Sequence, residues 1–424
     1  MLTKLINKSK KVLRYSKNCR SCRSKKVKKA LSLKPTPFED HFVTRKELGK
    51  KQKKYPLDLY LCSECNYLYL SHILNPDFSY KYYLYNTEVT LGLQKYYKEN
   101  VDFIIKKLKL SKNDLVMDIG SNDGTFLKFF KRKKIKVLGI EPAKNVAKKA
   151  LNKGVKTINQ FFNDKLIINL MKNNIKPSVI SANYVFANIE DINNFISNIL
   201  KILKDDGVIA INTGYHPDQF KKNMFDYIYH EHYSYFSLTF LKNFFEKKNL
   251  EIIYVKKTKP KLGSIFLLLR RKKMKNNSFY MVKKLISQEN LSGINKIHYF
   301  KKLKQRVNSI GRNIVKILEN YKKKNIKLIG YGASHSTTIL IHEFRLNKYL
   351  KFILDDNPIK QGLYSPGFHI PVLNGNKIMN DFNSVVIILA WQHQNKIIQR
   401  NIKFLKQGGK FISPLPRLKI IKNN

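Results

Sequence analysis

The sequence predicts an α/β protein in three parts: an N-terminal metal-binding module, a central Rossmann-like domain and a C-terminal Rossmann-like α/β domain. Three observations predict it. The pairs "CRSC" and "CSEC" lie near the start, and "LVMDIGSNDGTFL" and "IKLIGYGASHSTTIL" each set a glycine-bearing turn between an apolar run and a helix-like segment. At 424 residues, with 43% hydrophobic and 12% aromatic side chains, the chain can fill two or three cores of ordinary size. The boundaries read as 1–78 for the metal module, 79–275 for the central domain, 276–325 for a helical linker and 326–424 for the last domain.

The first element rests on cysteine arithmetic. The chain has four cysteines, Cys19, Cys22, Cys62 and Cys65, in two C-x-x-C knuckles. Each knuckle offers two thiolates to one ion, and two knuckles complete the tetrahedral set that zinc prefers. Disulfides are disfavoured in a reducing compartment, and a redox motif needs only one pair. Four thiolates leave no open position, so the expected zinc is structural.

In the central domain the apolar run holds Asp118 and enters Gly120, Ser121, Asn122, Asp123 and Gly124. A second run, "KVLGI", ends at Glu141 and Pro142. This is strand–loop–helix–strand with an acid at the second strand tip, the arrangement that binds an adenosine ribose. No phosphate-binding lysine follows the glycines, and an acidic loop repels pyrophosphate. It suits a cationic ligand, and S-adenosylmethionine carries a sulfonium and an ammonium. "PSVISANYVFANIED", with Asn183, and "LKDDGVIAINTG" supply the next two strands.

Residues 272–325 show apolar positions at three- and four-residue steps, which predicts helices broken near Ser292–Gly293. "IKLIGYGASHST" then repeats strand–turn–helix, and "LKFILDD" gives a second strand ending in acids. A dinucleotide reading lacks the third glycine of the fingerprint.

The formal net charge of +53 first points to nucleic acid or an anionic membrane. Lysine supplies most of it, spread along the chain with no arginine-rich arm, so it reads as solvated faces. Neither a nucleic-acid nor a membrane partner is expected, although the charge favours an anionic substrate. No apolar run approaches the ~18–20 residues that cross a bilayer, and the basic start lacks a secretory pattern. A cytoplasmic monomer is expected.

With the paired C-x-x-C, "DIGSNDG", "IEP" and "YIYHEH" in this order, the chain resembles the sugar C-methyltransferases. These act on nucleotide-linked 4-keto-deoxysugars with S-adenosylmethionine as donor. The resemblance continues at "GYGASHSTTIL" and "DDNPIKQGLYSPGFHIPV", so it spans nearly the whole chain. It implies a zinc module, a class I methyltransferase domain and a C-terminal Rossmann-like domain around a substrate cleft. It also implies a catalytic base at His232, with Tyr229 and Glu231 beside it, and an active-site tyrosine within "YKYYLYNTEV", aligned best at Tyr83, with Tyr80 and Tyr85 close behind.

The chemistry matches those residue types. Methylating carbon next to a ketone requires removing a proton and steadying an enolate. A histidine of near-neutral pKa suits the first task and a tyrosine hydroxyl the second. In an ideal strand Tyr229 and Glu231 share one face, and His230 and His232 the other. The segment is therefore expected to turn. A metal site at His230 and His232, or a plain polar strand edge, are the competing readings.

Two departures bear on the substrate. Asn188 stands where family members commonly carry a histidine, and a lysine usual near Ser334 is missing. Asn188, His216, His230 and Ser334 are the expected substrate contacts. Methylation of another acceptor, such as a nucleic acid, and a non-catalytic donor-binding role stay open.

Overall fold

The computed structural model describes residues 13–76, 86–88, 92–272, 280–380 and 382–423. Tyr80, Tyr83 and Tyr85 lie outside the described residues. None of the described helices is long and apolar enough to cross a membrane.

The central sheet orders its strands Leu250–Thr258, Ser264–Arg271, Val208–Gly214, Val179–Asn183, Leu115–Ile119, Lys136–Ile140 and Thr157–Ile158. The last five run parallel, and Ser264–Arg271 is antiparallel to Val208–Gly214. This is the class I methyltransferase order. The chain reverses its direction of travel between Leu115–Ile119 and Val179–Asn183. A crevice must open there at the carboxyl ends of the strands. Val116, Met117, Ile180, Ile209, Ile211 and Leu267 are sealed beneath helices on both faces, as near-continuous apolar runs require.

The C-terminal sheet has the order Val372–Asn374, Ile353–Asp355, Lys327–Tyr331, Ser384–Ile388, Lys410–Ser413 and Lys419–Ile421, parallel except for its last strand. Two helices precede it, Tyr280–Ser292 and Ile297–Lys323, separated by Gly293 at φ +68°. The longer helix buries Phe300, Leu303, Val307, Ile314 and Leu318, the three-and-four rhythm of an amphipathic stripe.

The N-terminal module is interleaved with the other two parts. Its antiparallel strands Val27–Thr36, Tyr55–Cys62 and Leu68–Leu70 accept a fourth, Ser234–Tyr235, from the central domain. The module's inner residues Leu57, Leu59 and Leu70 share one apolar cluster with Phe225, Phe300 and Ile339. Two polar ties reinforce the seam: Thr338 Oγ1 donates to the Glu39 carbonyl at 2.9 Å, and Lys360 Nζ reaches Asp40 at 2.7 Å.

Candidate active site

The cysteine cluster settles first, because its position constrains the rest. Sγ of Cys19 and Cys65 are 3.6 Å apart, as are those of Cys22 and Cys62, and all four lie within 4.8 Å of one another. Thiolates bonded to zinc at about 2.3 Å in a tetrahedron stand roughly 3.8 Å apart, whereas a disulfide needs about 2.0 Å. The residues therefore fit Zn2+ and no disulfide. The cluster packs into the central core beside Tyr67, whose ring stacks on Phe240 at 4.6 Å. Its own Arg20, 6% exposed, donates to the carbonyls of Glu190 and Tyr233 and to the Tyr67 hydroxyl.

At the crevice of the central sheet, Gly120 and Gly124 take φ +71° and +74°. A Cβ on Gly120 would stand 2.8 Å from Val185, so the turn requires glycine both for its dihedral and for its clearance. Asp118 accepts from Ser181 Oγ at 2.6 Å and Asn183 Nδ2 at 3.1 Å. Glu141 accepts the N–H groups of Asn122 and Ala143 at 2.9 and 2.8 Å. Burial outweighs these hydrogen bonds and raises both carboxyls to about 7. Ser121 Oγ, both side-chain atoms of Asn212 and Thr213 Oγ1 are buried with no hydrogen-bond partner among the described residues. Unpaired polar atoms at strand ends, next to two acids short of charge compensation, fit a polar cationic ligand.

Asn122 and Asp123 act differently. Asn122 Oδ1 accepts the Thr87 N–H and Asp123 Oδ2 the Glu88 N–H, both at 3.0 Å, so they hold the segment that closes over the loop. Pro142 is half-buried, and its carbonyl accepts from Asn159. The cavity lined by Asp118, Gly120, Ser121, Asn183, Tyr97 and Lys261 holds only about 50 Å³, while small-ligand pockets run from about 300 Å³. Its walls must part to admit a nucleoside.

Next to it is a second cavity of about 20 Å³, lined by Tyr184, Thr213, Tyr227, His232, Tyr235 and Lys261 among others. Here the segment of paired histidines does turn: the His232 N–H donates to the Tyr229 carbonyl at 3.0 Å, and the two rings lie 4.0 Å apart, tilted by 30°. His232 Nδ1 is 3.1 Å from the Tyr227 carbonyl. A carbonyl only accepts, so Nδ1 carries the hydrogen and Nε2 keeps its lone pair. Burial, then the Lys261 charge, lower this imidazole to about 3. The near-neutral value expected from sequence is thus not met in the free protein, and the ring stays neutral and able to accept a proton. Burial likewise lifts Tyr229 well above the usual phenol value, keeping its hydroxyl a donor.

His230 takes no part in this cavity. Its side chain is fully buried, with Nδ1 2.7 Å from Glu39 of the N-terminal module. This placement removes the paired-histidine metal reading, because His230 and His232 serve different partners. Glu231 meets His335 of the C-terminal domain at 3.5 Å. Burial alone would lower His335, but Asp40 and Glu231 outweigh it and raise the imidazole to about 9. The His335 and Tyr229 rings are 5.0 Å apart. Sequence reasoning passed over His335 and Lys261; the histidine beside Ser334 in "GASHST" and the lysine of the "KPKLG" turn were the available signals.

The other expected contacts scatter. Asn188 Oδ1 is buried without a partner among the described residues, and both His216 ring nitrogens are in the same condition, with the ring 5.4 Å from Phe220. Ser334 caps the helix His335–Phe344 by accepting the Thr337 N–H.

Comparison with known proteins agrees with this architecture. Family models match in sequence along the chain: a zinc binding domain at residues 19–80, a methyltransferase domain at 91–255 and a C-methyltransferase C-terminal domain at 261–416. The C-methyltransferase NovU of Streptomyces niveus is 26% identical over 411 residues, covering 97% of this chain and 98% of its own. Solved structures overlap more loosely. The magnesium protoporphyrin IX methyltransferase of Synechocystis covers 43% of this chain and 81% of its own at 13% identity and a TM-score of 0.33. A protein from Pyrococcus horikoshii covers 46% and 99% at 10% identity and a TM-score of 0.36. The three domain matches in order, with the end-to-end relative, make this chain an S-adenosylmethionine-dependent methyltransferase that is similar along its length to the zinc-binding C-methyltransferases.

Proposed function

We propose that the chain methylates the carbon next to the ketone of a nucleotide-linked keto-deoxysugar. One observation carries this reading: the turn brings the Tyr229 ring 4.0 Å from His232, whose imidazole lines a cavity adjoining the glycine loop and whose Nδ1 is held by the Tyr227 carbonyl. That is the equipment for removing a carbon-bound proton and steadying the resulting oxyanion. Asp118, Glu141, Gly120 and Asn183 hold the donor, which supplies an electrophilic methyl group on a cationic sulfur. His232 takes the proton, Tyr229 hydrogen-bonds the enolate oxygen, and Glu231 acts through His335 to fix the Tyr229 ring. Tyr83, outside the described residues, is assigned by the sequence resemblance alone as a second hydroxyl for the enolate oxygen. Asn188, His216 and Ser334 are assigned to the acceptor side, and His230 to anchoring the turn on Glu39.

The test is incubation with methyl-labelled S-adenosylmethionine and TDP-4-keto-6-deoxyglucose, followed by carbon NMR. A label on a ring carbon is the expected result; a label on oxygen discards the enolate step. His232→Ala should lower turnover by roughly 10²–10⁴-fold and leave the donor Kd within about twofold.

A further inference from the structure

Lys261 belongs to none of the motifs that mark the site, yet it stands where the two cavities meet. It lines the glycine-loop cavity with Asp118 and Asn183, and the second cavity with His232 and Tyr235. Its ammonium lies 4.3 Å from the centre of the Tyr184 ring. Tyr184 itself directly follows the strand Val179–Asn183 and takes φ +58°. The backbone under the lysine is left-handed at two successive residues, Lys261 at φ +53° and Leu262 at φ +56°. Non-glycine residues are strained there and persist only where the surroundings enforce them.

The surroundings do so. Lys222 Nζ donates to the Leu262 carbonyl, the Tyr215 N–H to the Gly263 carbonyl at 3.0 Å, and Ser264 Oγ to the Pro260 carbonyl at 2.9 Å. A Cβ on Gly263 would press on Gln219 and Asp218 at 3.0–3.2 Å, so the turn is also packed from below.

The geometry points to Lys261 as a catalytic residue whose ammonium stabilises the negative oxygen formed when the acceptor is deprotonated; this rests on the ketone-acceptor reading above. In that step the C–H bond beside the carbonyl breaks and its proton goes to Nε2 of His232. The C–H electron pair becomes the C=C bond, and the carbonyl π pair moves onto oxygen. A fixed cation at that oxygen needs no reorganisation, and one such donor is worth about 10²–10³ in rate. Burial chiefly, and this cation in addition, keep His232 unprotonated before the acceptor arrives. The rival role for Lys261 is a contact to the donor's carboxylate.

Solvent exchange separates the two. With S-adenosylhomocysteine in place of the donor, deuterium incorporation into TDP-4-keto-6-deoxyglucose from D2O reads deprotonation without methyl transfer. Lys261→Met is expected to slow incorporation by about 10²–10³-fold while the Kd for S-adenosylhomocysteine stays within threefold. Lys261→Arg, which keeps the charge, should recover most of the rate and confirm that the turn still folds. Incorporation that survives Lys261→Met overturns the assignment. So does a loss matched by an equal loss of S-adenosylhomocysteine affinity, which places the lysine on the donor. No incorporation by the unaltered enzyme removes the ketone reading and this assignment with it.

Discussion

The central and C-terminal domains carry the same strand–glycine turn–helix unit, and they differ in how the polar groups around the turn are satisfied. In the central domain Ser121 Oγ, Asn212 and Thr213 Oγ1 are left buried without partners among the described residues. In the C-terminal domain the turn satisfies itself. The Asp355 carboxylate accepts the N–H groups of Ala333 and Asn357 at 2.5 and 2.8 Å, Thr337 Oγ1 donates to the Gly332 carbonyl at 2.6 Å, and Ser334 caps the helix. Ala390 Cβ would lie only 2.3 Å from a Cβ on Gly332, so that glycine exists for packing. A glycine motif therefore announces a tight turn, and the unspent polar atoms around it announce a ligand.

The largest effect should come from removing the metal, because the zinc module is the wedge between the two units. Chelation is expected to lower the melting temperature by roughly 10 °C. It should loosen the central-domain side first, where Arg20 ties the knuckle to the Tyr233 carbonyl. Hydrogen exchange would show this, and equal protection with and without metal speaks against a structural zinc.

Asp118→Ala should weaken donor binding by about 10–100-fold, the worth of a hydrogen bond to a charged group. Asp355→Ala should leave that affinity unchanged and instead cost about 1–3 kcal/mol of stability, since it strands two N–H donors. Matching losses of donor affinity in calorimetry would break the comparison. Gly332→Ala sharpens it further: stability falls through the Ala390 clash and the strained φ of +101°, with donor affinity untouched.

The pH dependence is the smallest of these effects. Asp118 and Glu141 are raised to about 7 in the folded protein, against roughly 4 in an unfolded chain. Their contribution to stability is full below about pH 4 and is lost as pH rises through 7. Affinity for a cationic donor runs the opposite way, because it needs charged carboxylates. It should rise between pH 6 and 8, by at most about tenfold per unit for each carboxyl, and then level off. A flat profile means that the loop binds the donor without its charge.

Local signals in the sequence reach as far as local chemistry does. The cysteine knuckles, the glycine loop with Asp118 and Glu141, and the helix break at Gly293 were legible because each is set within a few residues. The turn at Tyr229–His232 was legible as a conflict between strand alternation and the chemistry required. Other features are tertiary. Glu39 meets His230 across 191 positions, Glu231 meets a histidine from another domain, and Lys261 gains its place from a strained turn that no periodicity reports. His230 illustrates the limit, since a histidine two residues from His232 is spent on holding domains together.

The strand Ser234–Tyr235 pairs with Leu68–Leu70 of the N-terminal sheet although it is encoded within the central domain. Recombination between relatives at the apparent border near residue 78 would strip that sheet of a fitted neighbour. A working chimera has to import residues 227–236 together with the donor's first module. The unit of inheritance here is thus a sheet assembled from two distant stretches of the gene, and the turn at Tyr229–His232 travels with the cysteine module.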